Sequence, residues 1–292
     1  MDLGIKGKKA IICASSRGLG KGIAEQLALE GVEIVINGTS EENLAQTEAE
    51  FIKKNYKVKS VLGKMEDAAT RKALLSACPN PDILINNSGG PAPGKFFEWS
   101  EEDFLSAIKS NFTQSALLMQ SVIPGMQKNK FGRIINMTSA MVKNPHLMMG
   151  LSTSARTGLH GLSKALSKEF AKDNITINCI LPERIATDRQ VRIIGYQAKL
   201  ADISYEEALK LVEDDLPAKR MGKVEEVEEA EPEVVRSFKL GKSPQLGRFL
   251  EAARYVQKGE ILWTESPLVV APVAVTLPVC LSCYVPVDGK FL

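Results

Sequence analysis

Two rhythms of apolar residues alternate along the first three-quarters of the chain. Short, nearly continuous apolar runs, such as Ala10–Cys13, Val32–Ile36 and Ile83–Ile85, are separated by longer stretches with apolar residues every three or four positions. The first rhythm belongs to strands buried on both faces, the second to helices with one apolar side. The spacing predicts strands over 9–14, 32–37, 58–63, 82–86, 132–138 and 175–181. It predicts helices over 18–30, 41–54, 67–77, 100–127, 152–172 and 204–214. Such alternation implies right-handed crossovers and an α/β fold, a doubly wound parallel sheet covered on both sides.

The rhythm stops near residue 225. Glu225–Glu233 is an acidic run broken by Pro232, and 228–245 reads as a solvated linker. Residues 246–292 change to short β-rich pieces between Gly and Pro, a small appendage to the main domain of 1–227. There is no internal repeat. With 44% apolar and 25% charged residues and net charge +2, the 292-residue chain is expected to be globular, with no broad nucleic-acid surface. No run has transmembrane length, and Met1–Lys6 lacks a secretory apolar region. Cys13, Cys78 and Cys179 read as buried thiols of a reducing, cytoplasmic setting. Two histidines exclude a histidine-rich metal centre.

The most informative segment is Ile11–Gly31. Strand, small-residue turn, helix and strand follow directly on one another, the context of a dinucleotide-binding unit. The turn presents backbone N–H groups and a positive helix end to an anion. Gly18 lets the backbone approach a pyrophosphate, and Gly20 lets helix and strand pack closely. A merely structural tight turn is the alternative.

Residues 8–227 resemble the short-chain dehydrogenase/reductases, especially members like 3-oxoacyl-acyl-carrier-protein reductase. The matching motifs are Cys13–Gly20, Asn86–Gly89, Asn111, Ile135–Ser139, and Pro182 with Thr187-Asp188. The resemblance implies a Rossmann-type sheet, here lacking its usual last helix and strand. It implies cofactor contacts from Ser15, Arg17, Gly18, Leu19, Gly20, Thr39, Asp67, Asn87, Gly89, Arg156, Pro182 and Thr187. It places Asn86 and Gly89 along the adenosine side, with Thr187 at the nicotinamide carboxamide. Asn111 would bend its helix and hold a water of a proton relay. Ser139 would hydrogen-bond a substrate carbonyl. The plainer readings are that Asn86 and Asn111 satisfy buried backbone groups and that Ser139 caps a loop.

NADP(H) is favoured over NAD(H). The segment after the second strand, Ile36–Ser40, has no acid to take ribose hydroxyls, and Arg17 suits a 2′-phosphate. Glu66 or Asp67 would meet the adenine edge, although Asp67 also reads as a helix N-cap.

The family's chemistry rests on a Tyr-x-x-x-Lys pair beginning thirteen residues after the active serine. Counting from Ser139 gives Ser152 and Arg156 instead. The expected catalytic set is therefore Asn111, Ser139, Ser152 and Arg156. An aliphatic hydroxyl is a far weaker acid than a phenol, and Arg cannot exchange a proton. Lys143, His146 and Tyr196 are candidate substitute acids. Ala14 replaces the first glycine of the turn, and Glu183 follows Pro182 where the family usually has glycine. The Ser-x-x-x-Arg pair, Gly89–Gly94 and Thr187–Arg189 together resemble one branch of the family.

Residues 246–292 resemble the start of an arthropod-type SET and MYND protein, through Leu246–Arg254, Lys258–Leu262, Glu265–Ala271 and Pro278–Tyr284. That resemblance would put Gly247-Arg248 beside S-adenosylmethionine and make Cys280 and Cys283 half of a zinc knuckle. A structural zinc needs four ligands, so no metal is expected here.

Three functions compete. The first is an NADP(H)-dependent oxidoreductase on a small carbonyl or alcohol, with unusual proton donation. The second is a non-catalytic NADP(H)-binding protein. The third, a fragment related to protein-lysine methyltransferases, lacks a catalytic core. The 186–217 segment is expected as a lid loop. The resemblance also implies a homodimer through the helices at 100–127 and 152–172.

Overall fold

The computed structural model describes residues 3–216, 218–224, 226, 238–243 and 247–252. Six parallel strands lie in the order β3-β2-β1-β4-β5-β6. They are β1 (Lys9–Ile12), β2 (Glu33–Gly38), β3 (Val58–Leu62), β4 (Ile83–Asn86), β5 (Gly132–Met137) and β6 (Ile175–Ile180). Each of the six predicted strands is present. Ile11 faces one side of the sheet while Ala10 and Ile12 face the other, so both sides are apolar.

Helices α1 (Gly18–Leu29) and α2 (Glu41–Lys53) cover one face, where Ala24, Ala28, Leu44 and Phe51 pack on Ile34, Ile36 and Ile85. Helices α3 (Ala68–Ala77), α5 (Gln114–Asn129) and α6 (Gly150–Phe170) cover the other, where Leu74, Met119, Val122 and Leu159 pack on Leu84 and Ile134. The strand order reverses between β1 and β4. In open α/β sheets that is where the loops part and a ligand crevice opens.

The long helix expected over 100–127 is divided. A capping box between Ser100 and Asp103 starts α4 (Glu101–Ile108). A π-type turn over Lys109–Thr113 then leads into α5. Asn111 lies in that turn, so the helix does change geometry at the residue expected to bend it.

The expected lid loop is mostly helical. Helix α7 (Asp188–Ala201) precedes α8 (Tyr205–Asp215), and the two pack through Ile194, Ala198 and Ala208. The buried stripe of α7 is Gln190, Ile194 and Ala198. One polar and one small residue in that stripe, with Gly195 between them, mask its helical period in the sequence.

Among the described residues, β6 pairs on one side only, with β5. The remaining strands, β7 (Phe238–Ser243) and β8 (Gly247–Ala252), form a separate antiparallel pair. The strand over 238–243 falls within the segment expected as an acidic linker, 228–245. Phe238 and Leu240 alternate with Lys239 in the sequence, a strand period that the acidic run before it obscures. Residues 253–292, with Cys280 and Cys283, lie outside the described residues. No helix among the described residues is long and apolar enough to cross a membrane.

Burial holds the thiols of Cys13 and Cys78 well above the ordinary range, to about 12 and about 11. They are packing residues rather than nucleophiles.

Candidate active site

The turn after β1 is built by hydrogen bonds from β2. Ser15 is fully buried. Its Oγ donates to the Ile12 carbonyl (2.7 Å) and accepts from the Asn37 N–H (3.0 Å). Ser15 therefore sets the shape of the turn and does not face the cleft, a correction to its expected cofactor contact. Asn37 completes the frame. Its Oδ1 accepts from the Ala14 N–H (3.3 Å), and its Nδ2 donates to the Val61 and Gly63 carbonyls. Only its place as the polar end of an apolar strand marks Asn37 in the sequence.

Ala14 has φ +47°, the left-handed region that a Cβ disfavours. Ala14→Gly is expected to raise unfolding stability by about 1 kcal/mol, read by denaturant unfolding. No gain would mean that the turn relaxes without strain.

A cleft of about 890 Å³ opens over this turn, lined in part by Arg17, Gly18, Leu19, Thr39, Asn87 and Gly89. Gly18 has φ +54°. A Cβ on Gly20 would lie 2.2 Å from the Ala14 carbonyl oxygen, so that glycine is needed for the close approach of helix to turn. Helix α1 has no acidic residue in its first turn and no side-chain cap. Its positive end is therefore uncompensated and suits an anion. Glu66 lines the cleft, whereas Asp67 does not and occupies the N-cap position of α3. The turn preceding α3 brings Glu66 rather than Asp67 to the cleft. Arg17 reaches Asp188 across the cleft mouth (3.3 Å), with both side chains more than half exposed.

A second cavity of about 550 Å³ adjoins the first, sharing Leu19, Asn87, Thr187 and Tyr196. Ser139, Ser152, Arg156 and Pro182 line it. The Ser139 Oγ accepts from the Met141 N–H (3.3 Å). The Ser152 Oγ accepts from Arg156 Nε (3.1 Å). Each hydroxyl thus has a protein donor on its oxygen and keeps its own hydrogen for another acceptor.

Arg156 is buried. It donates from Nη1 to the carbonyls of Met137 (2.6 Å) and Thr138 (3.2 Å), and from Nη2 to Ser88 (3.3 Å). Burial, then repulsion from Arg189, pulls its pKa down to about 10, so it remains a cation at neutral pH. Most of its donors are spent fastening the ends of β4 and β5. Within the chain, Arg156 thus holds the Ser152 hydroxyl and the strand ends, while it also lines the second cavity.

Asn111 is buried, accepting from Ser88 Oγ (3.3 Å) and donating to Ser110 Oγ (2.8 Å). Asn86 turns away from both cavities. It donates to Asn136 Oδ1 (2.7 Å), which belongs to a buried ladder reaching Ser163 on α6. For Asn86, the reading as a framework residue describes the geometry. Of the candidate substitute acids, His146 and Tyr196 line the second cavity and Lys143 does not. No group of three or more metal-ligating side chains exists among the described residues.

A reversed-order parallel sheet, a glycine turn opening α1 and two serine hydroxyls on one cavity, Ser139 after β5 and Ser152 in the first turn of α6, define a nucleotide-dependent oxidoreductase architecture. The family model described as short chain dehydrogenase matches residues 8–195, and the chain belongs to that family. It is 32% identical over 229 residues to the NADPH-dependent reductase BacG of Bacillus subtilis, covering 75% of this chain and 87% of that protein. It is 30% identical over 233 residues to the 3-oxoacyl-[acyl-carrier-protein] reductase FabG of Aquifex aeolicus, covering 78% and 89%. The crystal structure of L-sorbose reductase from Gluconobacter frateurii, complexed with NADPH and L-sorbose, superposes with a TM-score of 0.72 at 29% identity, covering 78% of this chain and 89% of that one. These comparisons bear on the reductase-like part and give no support to a SET-type fragment.

Proposed function

We propose that this chain is an NADP(H)-dependent reductase of small carbonyl compounds in which Ser152, held by Arg156, stands where the family's tyrosine does. The observation that carries the reading is the pair of hydroxyls, Ser139 and Ser152, each with its oxygen already accepting and its hydrogen free, on one cavity beside the nucleotide cleft. The dinucleotide fits the chain: the cleft has an uncapped helix end, a glycine turn that a Cβ would fill, and Arg17 at its rim.

Gly18, Leu19 and the α1 terminus would hold the pyrophosphate, Thr39 and Arg17 the 2′-phosphorylated ribose, and Asn87, Gly89, Pro182 and Thr187 the remainder. When bound, the nicotinamide supplies the hydride equivalent. Ser139 and Ser152 donate hydrogen bonds to the substrate oxygen and stabilise negative charge as it develops there. Arg156 donates to the Ser152 oxygen, which makes that hydroxyl a stronger acid without itself losing a proton. Asn111 and Ser88 connect this site to the π-type turn, a route for resupplying the proton.

NADPH addition is expected to give enhanced nicotinamide fluorescence, and a carbonyl screen is expected to find turnover. Ser139→Ala is expected to lower kcat by about 10²-fold. Binding without turnover across the screen would favour the non-catalytic reading, and no binding would overturn both. Arg17→Ala is expected to weaken NADPH by about tenfold and to leave NADH nearly unchanged. Its exposed pairing with Asp188 is weak enough to yield to a phosphate.

A further inference from the structure

The described lining of the second cavity carries more arginines than carboxylates. Arg156, Arg184 and Arg189 line it, with Glu183 and Asp215 the acidic residues on its wall, both exposed. Arg189 is partly buried and donates to the carbonyls of Gly90 (2.9 Å) and Pro91 (3.4 Å). Burial and the neighbouring Arg192 lower its pKa, while burial and Arg189 lower that of Arg156. Among the described residues no carboxylate lies within 4.0 Å of either cation. Removing a cation from water without a counter-ion is strongly unfavourable. The same wall holds Gln190, only 6% exposed, whose amide nitrogen is buried without a hydrogen-bond partner. An unpaired amide donor beside two cations that no described carboxylate approaches calls for an anionic acceptor from outside.

We infer that the substrate is an oxo acid, its carboxylate taken by Arg189 and Gln190 with Arg184 at the rim, and its carbonyl by Ser139 and Ser152. The inference rests on the reductase reading above and narrows it from carbonyl compounds to anionic ones. A carboxylate offers two oxygens to the planar fork of a guanidinium, which Gln190 supplements with a neutral donor. The reaction balances as oxo acid + NADPH + H⁺ → hydroxy acid + NADP⁺. The C=O π bond breaks, C–H and O–H bonds form, NADPH is oxidised, and solvent replaces the proton passed through Ser152.

The test pairs each acid with its neutral ester: pyruvate with methyl pyruvate, and 3-oxobutanoate with its methyl ester. With the full chain and NADPH, at least one acid is expected to exceed its ester in kcat/KM by 30-fold or more. Arg189→Gln is expected to reduce that ratio at least tenfold, and Arg189→Lys to retain part of it. Since Arg189 also holds the Gly90–Pro91 loop, Arg184→Gln gives a second reading of the same ratio. Calorimetric titration of lactate and 3-hydroxybutanoate, with their methyl esters, into the NADP⁺-loaded chain reads the anion site without turnover. Preferential binding of the acids with no turnover would uphold the anion site and overturn the reductase reading. Turnover of esters and acids alike, or a ratio untouched by both arginine variants, would overturn the oxo-acid inference and leave the reductase standing. Equal or absent binding of acids and esters in the titration would overturn it as well.

Discussion

Ser152→Ala is expected to cut kcat/KM for carbonyl reduction by about 10²–10³ while shifting NADPH affinity less than threefold. The residue lies on the second cavity, and its oxygen already accepts from Arg156 Nε at 3.1 Å. Its hydrogen is therefore free for a substrate oxygen, and alanine removes that donor outright. The same change leaves Arg156 Nε buried without a partner, which costs about 1–3 kcal/mol of stability. Thermal unfolding and NADPH titration must be measured beside turnover, so that a weakened fold is distinguished from a missing donor. Ser152→Thr keeps the hydroxyl and is expected to retain most of the activity. If alanine and wild type turn over alike, the proton comes from elsewhere. His146 and Tyr196, on the same wall, would then be the residues to vary.

The strands were legible because parallel strands buried on both sides have few polar positions to confuse their reading. Helices with strong apolar stripes were equally plain. Helix α7 was not, since Gln190 and Ala198 bury in place of large apolar residues. The π-type turn at Asn111 leaves apolar spacing nearly intact, so one helix was expected where α4 and α5 stand. The site shows the same division. Motif spacing marked which residues approach the cleft, but not which way each side chain turns. Ser15 and Asn86 belong to matching motifs, yet their hydrogen bonds run into the framework. Arg156 sits where a cofactor contact was expected, and its donors go to strand-end carbonyls. These outcomes depend on partners far away in the chain, such as Asn37 for Ser15 and Asn136 for Asn86. The joint charge of Arg156 and Arg189 was hidden for the same reason: thirty-three positions separate residues whose cations interact in the fold.

Gly18→Asp is expected to weaken NADPH binding at least 100-fold, with the protein still folded by circular dichroism. Two effects add. Gly18 has φ +54°, where a side chain costs about 1 kcal/mol, although aspartate tolerates this region better than most residues. The larger effect is electrostatic. A carboxylate in the first turn of α1 would occupy the positive helix end that the chain leaves without an acidic residue, and it would meet the phosphates as a like charge. Gly18→Ala separates the two effects. Its Cβ would lie 3.8 Å from Thr187 Cγ2, an ordinary contact, so only the backbone cost remains and about a tenfold loss is expected. Gly20→Ala differs in kind, because its Cβ would lie 2.2 Å from the Ala14 carbonyl oxygen and the turn would have to move. It should lower stability and binding together. If Gly18→Asp and Gly18→Ala weaken NADPH equally, backbone strain alone explains the loss. The helix end would then not be holding phosphate, and the dinucleotide would have to be held chiefly by Arg17, Thr39 and the residues after β4.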